Sequence, residues 1–327
     1  QQGTKELVAA LESVIAKYPD HPGANHLYIH AVEASPDPDR AVACADRLGG
    51  LVPAAGHLVH MPSHIYIRVG RYEDAVAANQ RAILADEDYI TQCRVQGFYP
   101  VAYYPHNIHF LSSALSMSGH AREAIEAARK AASKMPHGNC GMQGLGFVHL
   151  LRAYPLFALV RFGRWDEIMK EAAAPADSPF VKAMQHFARG LAFHAKGELD
   201  KADTELAGLK AAMANPELNK LKVSDLNSLL DLSRIAVELL AGEVAAKRRD
   251  WTKSVAHLRK GVALEDALVY SEPPDWPLPV RQSLGAVLLE AGRAAEAESV
   301  YREDLTRHRD NGWSLFGLMK SLEAQGR

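Results

Sequence analysis

Apolar residues recur at helical spacing along almost the whole chain. Leu7, Leu11 and Ile15 near the start, and Ala124, Ala127, Ala128 and Ala131 further on, each fall on one face of a helix with 3.6 residues per turn. β-Branched runs are short and alanine is abundant. The breaks between helical stretches look alike: Val69-Gly70-Arg71-Tyr72, Ser118-Gly119-His120-Ala121, Phe162-Gly163-Arg164-Trp165, Lys196-Gly197-Glu198-Leu199 and Ala291-Gly292-Arg293-Ala294. In each, a glycine follows one helix and a polar residue precedes the next. Glycine accepts the left-handed backbone that ends a helix, so the pattern predicts a repeated helix–turn–helix joint.

Placing each joint glycine at the middle of a unit gives a consistent register. One repeat runs from Pro105 to Pro136, with Leu111 and Leu115 inward on its first helix and Ala124, Ala128 and Ala131 inward on its second. Another starts at Gly56 and uses Tyr66, Ala75 and Ala82; one upstream runs from Pro22 to Pro53 and uses Ile29, Val32, Ala41, Ala45 and Leu48. Further units centre on Gly163, Gly197, Arg249 with Trp251, and Gly292, before a last helix from Trp313 to Leu322. These units resemble tetratricopeptide repeats, whose period is about 34 residues with small residues at fixed places. The expected fold is therefore all-α, a right-handed superhelix of helix pairs forming one array over residues 1–327. A histidine-rich groove would occupy residues 22–135 and apolar-groove repeats residues 149–327. Three segments break the period: the aromatic stretch Ile90 to Tyr104, the Gly-rich stretch Pro136 to Val148, and the proline turn Ser271 to Pro277. Breaks of this length serve either as functional loops or as connectors.

Composition narrows the function. The chain has 327 residues, more than one ordinary core holds, which suits an elongated array. A net charge of −2 lacks the basic excess of a nucleic-acid binder. No apolar run approaches the roughly 20 residues that cross a bilayer, so the chain is not expected to span a membrane. Cys44, Cys93 and Cys140 are odd in number and far apart, and make neither a disulfide framework nor a cysteine metal site. The chain begins Gln1-Gln2-Gly3 without methionine, so it is expected to be the C-terminal part of a longer protein. The compartment, periplasm or cytoplasm, stays open.

The 15 histidines matter by position more than by number. His26 and His30 sit four apart on the first helix of one repeat, and His60 and His64 sit four apart on the first helix of the next. Each pair therefore projects to one side of its helix. The pairs are offset by one period of about 34 residues, so they lie side by side on neighbouring helices. His109 takes the same phase in the third repeat, and His57 and His106 lie three residues before His60 and His109. Imidazoles converging in this way suit zinc, copper or iron. The expected ligands are His26, His30, His60 and His64, with His109 able to complete or replace one of them; His106, His109 or His57 could hold a second ion. Glu33, one turn beyond His30, could be ligand, orienting partner or general base, and Arg68 could hold an anionic substrate group. A hydrogen-bonded polar groove is the competing explanation. His120, His137, His149, His257 and His308 fall off the shared face and are read as surface or structural. Pro62 either kinks one helix carrying His60 and His64 or separates two short ones.

Further along, the same phase becomes apolar, with Leu150, Ala153, Phe157 and Val160, then Met184, Phe187 and Leu191. Such faces are either core or an oily wall for a small organic ligand. In the second case Phe157 would contact the ligand, with Tyr103, Tyr104 and Asn107 covering the site.

The stretches HPGANHLYIHAVEAS (His21 to Ser35), GHLVHMPSHIYIRVGRY (Gly56 to Tyr72) and YYPHNIHFL (Tyr103 to Leu111) resemble a bacterial tetratricopeptide-repeat protein family with relatives in animals. The closing WSLFGL (Trp313 to Leu318) also fits. The resemblance implies a groove lined by first helices, a further helical region upstream of Gln1, and, for many bacterial members, export to the periplasm. Peptide-clamp members of the wider superfamily carry lysine, arginine and asparagine where this chain carries histidine, so carboxylate capture is not expected. The resemblance brings no settled activity. The leading expectation is a transition metal held by groove histidines, with a metal-dependent hydrolase or oxidase acting on a small organic substrate as one form of it. The alternative is a protein-interaction scaffold with a peptide in the groove. A carrier of apolar ligands is a third. No phosphate loop, nucleophile elbow or CxxC motif is present.

Overall fold

A computed structural model describes residues 3–136, 146–175 and 177–327. The glycine-rich break predicted over Pro136 to Val148 lies largely outside the described residues, and so does His137. The chain forms two compact units, Gln1–Lys134 with Arg307–Asn311, and Met135–Thr306 with Gly312–Arg327.

The first unit is built from α1 (Thr4–Lys17), α2 (Pro22–Val32), α3 (Val42–Leu51), α4 (Gly56–His60), α5 (Pro62–Arg68), α6 (Tyr72–Cys93), α7 (Phe98–Val101), α8 (Tyr103–Ser118) and α9 (Ala121–Ser133). α2 packs between α1 and α3, α4 and α5 both pack on α6, and α6 packs on α8, which pairs with α9. Small residues permit the close approach. Ala45, Ala75, Ala82, Ala124, Ala128 and Ala131 are fully buried, as are Ile29 and Leu48. Leu115 is buried as expected, whereas Leu111 is only half-buried; Ile108 and Ala114 fill the α8 core instead. Residues 307–311 join this unit because the Arg309 carbonyl accepts from the Tyr72 hydroxyl at 2.8 Å and the Arg309 side chain pairs with Asp39 at 2.6 Å.

The second unit comprises α10 (Gly146–Arg161), α11 (Trp165–Ile168), α12 (Pro179–Ala195), α13 (Leu199–Ala212), α14 (Glu217–Lys220), α15 (Leu229–Lys247), α16 (Trp251–Asp266), α17 (Val280–Glu290), α18 (Ala294–Arg307) and α19 (Gly312–Glu323). A small antiparallel ribbon, Lys222–Val223 against Asn227–Ser228, interrupts the helices. The core is aromatic: Phe157, Phe187 and Trp276 meet with ring centroids 5.3–6.5 Å apart.

The fold is all-α, made of tetratricopeptide-like helix pairs. The joint glycines Gly70, Gly119, Gly163, Gly197 and Gly292 take φ between 62° and 86°, the left-handed stop that the repeated turn required. Arg249 fills the same role at φ 59° without being glycine. A cross-helix joint also recurs: His60 meets Asn79, His186 meets Glu205 and Glu238 meets His257, each pair separated by 19 residues. No described helix is long and apolar enough to cross a membrane.

Candidate metal centre

α2, α4, α5 and α8 bring the histidines of the first unit together. The segment bearing the central ones is two short helices. Pro62 opens α5 at its first position, where a missing N–H costs nothing, and Met61 keeps helical angles between α4 and α5. Gly56 opens α4 against α6; a Cβ there would lie 1.8 Å from Asp86 Oδ1, so only glycine lets the histidine-bearing helix sit this close.

Three groups of side chains could each hold an ion: His60, His64 and His106; His26, His30 and His57; and His30, Glu33 and His64. Within each group one ligand atom per residue lies within 4.8 Å of the others. His60 is fully buried and His64 nearly so, whereas His30 is exposed, so the cluster runs from interior to solvent. Phe110 closes the interior end, its ring centroid 4.6 Å from those of both His60 and His64.

The hydrogen-bond network fixes which ring nitrogen of His60 carries its proton. Asn79 donates its amide N–H to the Ala75 carbonyl at 2.8 Å, so its Oδ1 accepts from His60 Nδ1–H at 2.7 Å. Ser63 donates to the His60 carbonyl and therefore also faces that Nδ1 as an acceptor, at 3.2 Å. His64 Nδ1 lies 2.6 Å from Glu33 Oε2, and His30 Nδ1 lies 3.1 Å from Glu33 Oε1. His60, protonated at Nδ1, turns its Nε2 lone pair toward His64 Nε2, 2.9 Å away. His26 and His57 approach at 3.3 Å between their Nε2 atoms.

Burial, reinforced by neighbouring imidazoles, pushes the His60 and His106 pKa values well below the usual histidine range. The same causes lower His57 to about 4. Neutral imidazole, the metal-binding form, is thus the state these rings hold at neutral pH. Burial would raise Glu33, but the adjacent His64 and His30 hold its carboxyl at about 2, and it stays ionised.

The remaining expected residues fall elsewhere. His109 is buried, its pKa pushed down to about 3 by burial, and belongs to none of the three groups. Arg68 donates to the backbone carbonyls of Glu33 and Ser35, at 2.9 and 3.3 Å, and so secures the end of α2. Glu33 has one oxygen on His30 and the other on His64, the posture of an orienting carboxylate. Tyr103 is exposed and stands edge-on to His57 with centroids 5.0 Å apart. The Tyr104 hydroxyl is spent on Glu87 at 2.6 Å and the Asn107 amide on Asp86 at 2.7 Å, because both residues face acids on α6. Phe157 is 1% exposed in the second unit's core, and Leu150, Ala153, Met184, Phe187 and Leu191 are buried there too; the apolar phase is core, and Phe157 offers no surface to a ligand. His149 donates to or accepts from Ser178 at 2.7 Å, His120 pairs with Glu73 at 2.9 Å and His257 with Glu238 at 2.7 Å. Asn79 and Phe110 carry no sequence signal that marks them, whereas Tyr99, whose hydroxyl reaches Asp86 at 2.6 Å, lies in the aromatic stretch, and His57 lies on the shared face three residues before His60.

No family model matches the sequence, and no curated protein matches it. Among solved structures, the chain is similar to one in the APC/C hetero-tetramer Cut9–Hcn1, with a TM-score of 0.42 and 12% identity over 98% of this chain and 52% of that one, about half its length. It is similar to the apo form of RapI, with a TM-score of 0.43 and 14% identity over 99% of this chain and 97% of that one. It is also similar to Acl4, an assembly chaperone of RpL4, with a TM-score of 0.33 and 13% identity over 99% and 96% of the two chains.

Proposed function

We propose that the chain binds a transition-metal ion through His60, His64 and His106. The observation that carries this reading is the convergence of His60, His64 and His106 on one point, with the Nε2 atoms of His60 and His64 2.9 Å apart and the Nδ1–H of His60 already given to Asn79. Two lone pairs at that spacing would repel, and a cation between them would satisfy both. An ion with bonds of about 2.0–2.1 Å reaches nitrogens roughly 2.9–3.4 Å apart across angles of about 90–110°. A proton would also relieve the contact by making His64 an imidazolium beside Glu33; the third imidazole, His106, at the same point favours a metal. Zinc, copper and iron all accept such a donor set. Three protein ligands leave a position open for water, which a bound metal acidifies toward neutral pH. A small organic substrate would find Tyr103 and the exposed Phe98 beside His57.

The test is a titration of chelator-treated protein with zinc, followed by dialysis and elemental analysis. At least one equivalent should remain, and the H64Q/H106Q variant should bind one equivalent fewer with unchanged far-ultraviolet circular dichroism. Retention of less than about a tenth of an equivalent by the native chain overturns the reading.

A scaffold function is the second reading, and the helix-pair architecture supports it, since stacked helical repeats are ordinarily recognition surfaces. The exposed Leu315, Phe316 and Met319 of α19 would suit an apolar partner segment. A partner retained by H64Q/H106Q in the absence of metal would favour it.

A further inference from the structure

The second histidine triad has features that one buried ion does not require. His26 and His57 aim Nε2 atoms at each other across 3.3 Å, a spacing that a single ion spans. His30 joins them, its ring centroid 5.0 Å from that of His26, and one nitrogen from each of the three lies within 4.8 Å of the others. The His30 ring is braced as a ligand's would be, its Nδ1 lying 3.1 Å from Glu33 Oε1. The other oxygen of that carboxylate orients His64 of the buried triad. The triads abut, with centroids 6.2 Å apart for His57 and His60 and 5.4 Å for His30 and His64.

We propose that His26, His30 and His57 hold a second transition-metal ion, so that the unit carries a two-ion centre with Glu33 bracing one ligand of each site. The proposal rests on the reading of His60, His64 and His106 as a metal site. The two positions differ in access. The inner one is walled by Phe110 and buried rings, whereas the outer one opens through the exposed His30 and lies under the edge of Tyr103. The outer ion should therefore exchange faster. Paired ions about 3.5–4 Å apart can share one bridging oxygen ligand, and such centres polarise substrate and water together.

Calorimetric titration of chelator-treated full chain with zinc, checked by elemental analysis, tests this. About two equivalents are expected for the native protein and about one for H26Q/H57Q. H30A, at an exposed position, should weaken only the second equivalent, by tenfold or more. With copper(II), the first equivalent should give an isolated electron paramagnetic resonance signal that the second broadens or abolishes. A native stoichiometry of one, or two equivalents surviving in H26Q/H57Q, or two uncoupled copper signals, overturns the second site while leaving the first intact. Retention of no zinc at all removes the underlying reading instead.

Discussion

At the scale of single residues, the proposed centre depends on groups outside the three histidine-bearing sets. Asn79 is neutral, buried and anchored at both ends of its amide, so it hands His60 one tautomer. Replacing it by alanine should leave His60 Nδ1 buried without its acceptor, at a stability cost of about 1–3 kcal/mol, and should weaken zinc binding by about 10–100-fold. Competition titration against a chromophoric chelator, alongside a thermal melt, separates the two effects; unchanged affinity would show that the tautomer is set some other way. That the histidines gather in one cluster was legible in the sequence because repeats impose a phase, and His26 with His60, or His30 with His64, share it. Asn79 was not legible, since its role depends on a partner 19 residues away across a helix joint. Tyr104 and Asn107 misled for a related reason: their polar groups are spent on Glu87 and Asp86, acids of α6 whose facing helix no local pattern reveals.

At the scale of elements, the repeated joint is the unit of construction. Gly197 has φ 78° and a Cβ there would meet nothing within 4 Å, so Gly197→Ala isolates the backbone penalty of the left-handed turn, about 1–2 kcal/mol lost. Arg249 holds φ 59° at the equivalent joint, so Arg249→Gly should gain roughly 0.5–1 kcal/mol. Urea unfolding of both variants checks the pair, and a loss at both positions would contradict the equivalence of the joints. Helix identity and turn position were readable because both are local. The division of residues 56–68 into α4 and α5 was open, and Pro62 resolves it by starting a helix rather than bending one. The recurring bond across helix pairs has a carboxylate at His186 and at His257, whose side chains stay partly exposed, but an amide at His60, which is fully buried. The Asn79 amide adds no charge beside His60, and burial leaves that ring neutral.

At the scale of the whole molecule, the histidine cluster lies in the first unit, and the second has an aromatic core around Phe157, Phe187 and Trp276. What the sequence did not disclose was that the second unit's apolar face is interior, because periodicity alone does not tell a filled groove from a core. That unit also carries its own pH dependence. Burial raises the Asp275 carboxyl to about 6, only partly offset by hydrogen bonds from Asn227 and Ser271. The folded state therefore holds this proton more tightly than the unfolded chain does. The contribution of Asp275 to stability should be full below about pH 4 and fall by roughly 3 kcal/mol as pH rises to about 6, then level off. Asp275→Asn should flatten that segment of the pH profile, and an unchanged slope would assign it to other groups.

Glu33 is the only acid in the three groups that could hold an ion. One divalent ion would leave the centre with an excess of one positive charge, and two would leave it with three. Charge of that size behind the apolar wall of Phe110 is poorly screened, so the loaded protein would draw a small anion to itself. Hydroxide would satisfy that demand at neutral pH, and azide, cyanide or fluoride would compete for it. Sensitivity to such anions becomes a property of the loaded chain that its nearly neutral composition gives no reason to expect.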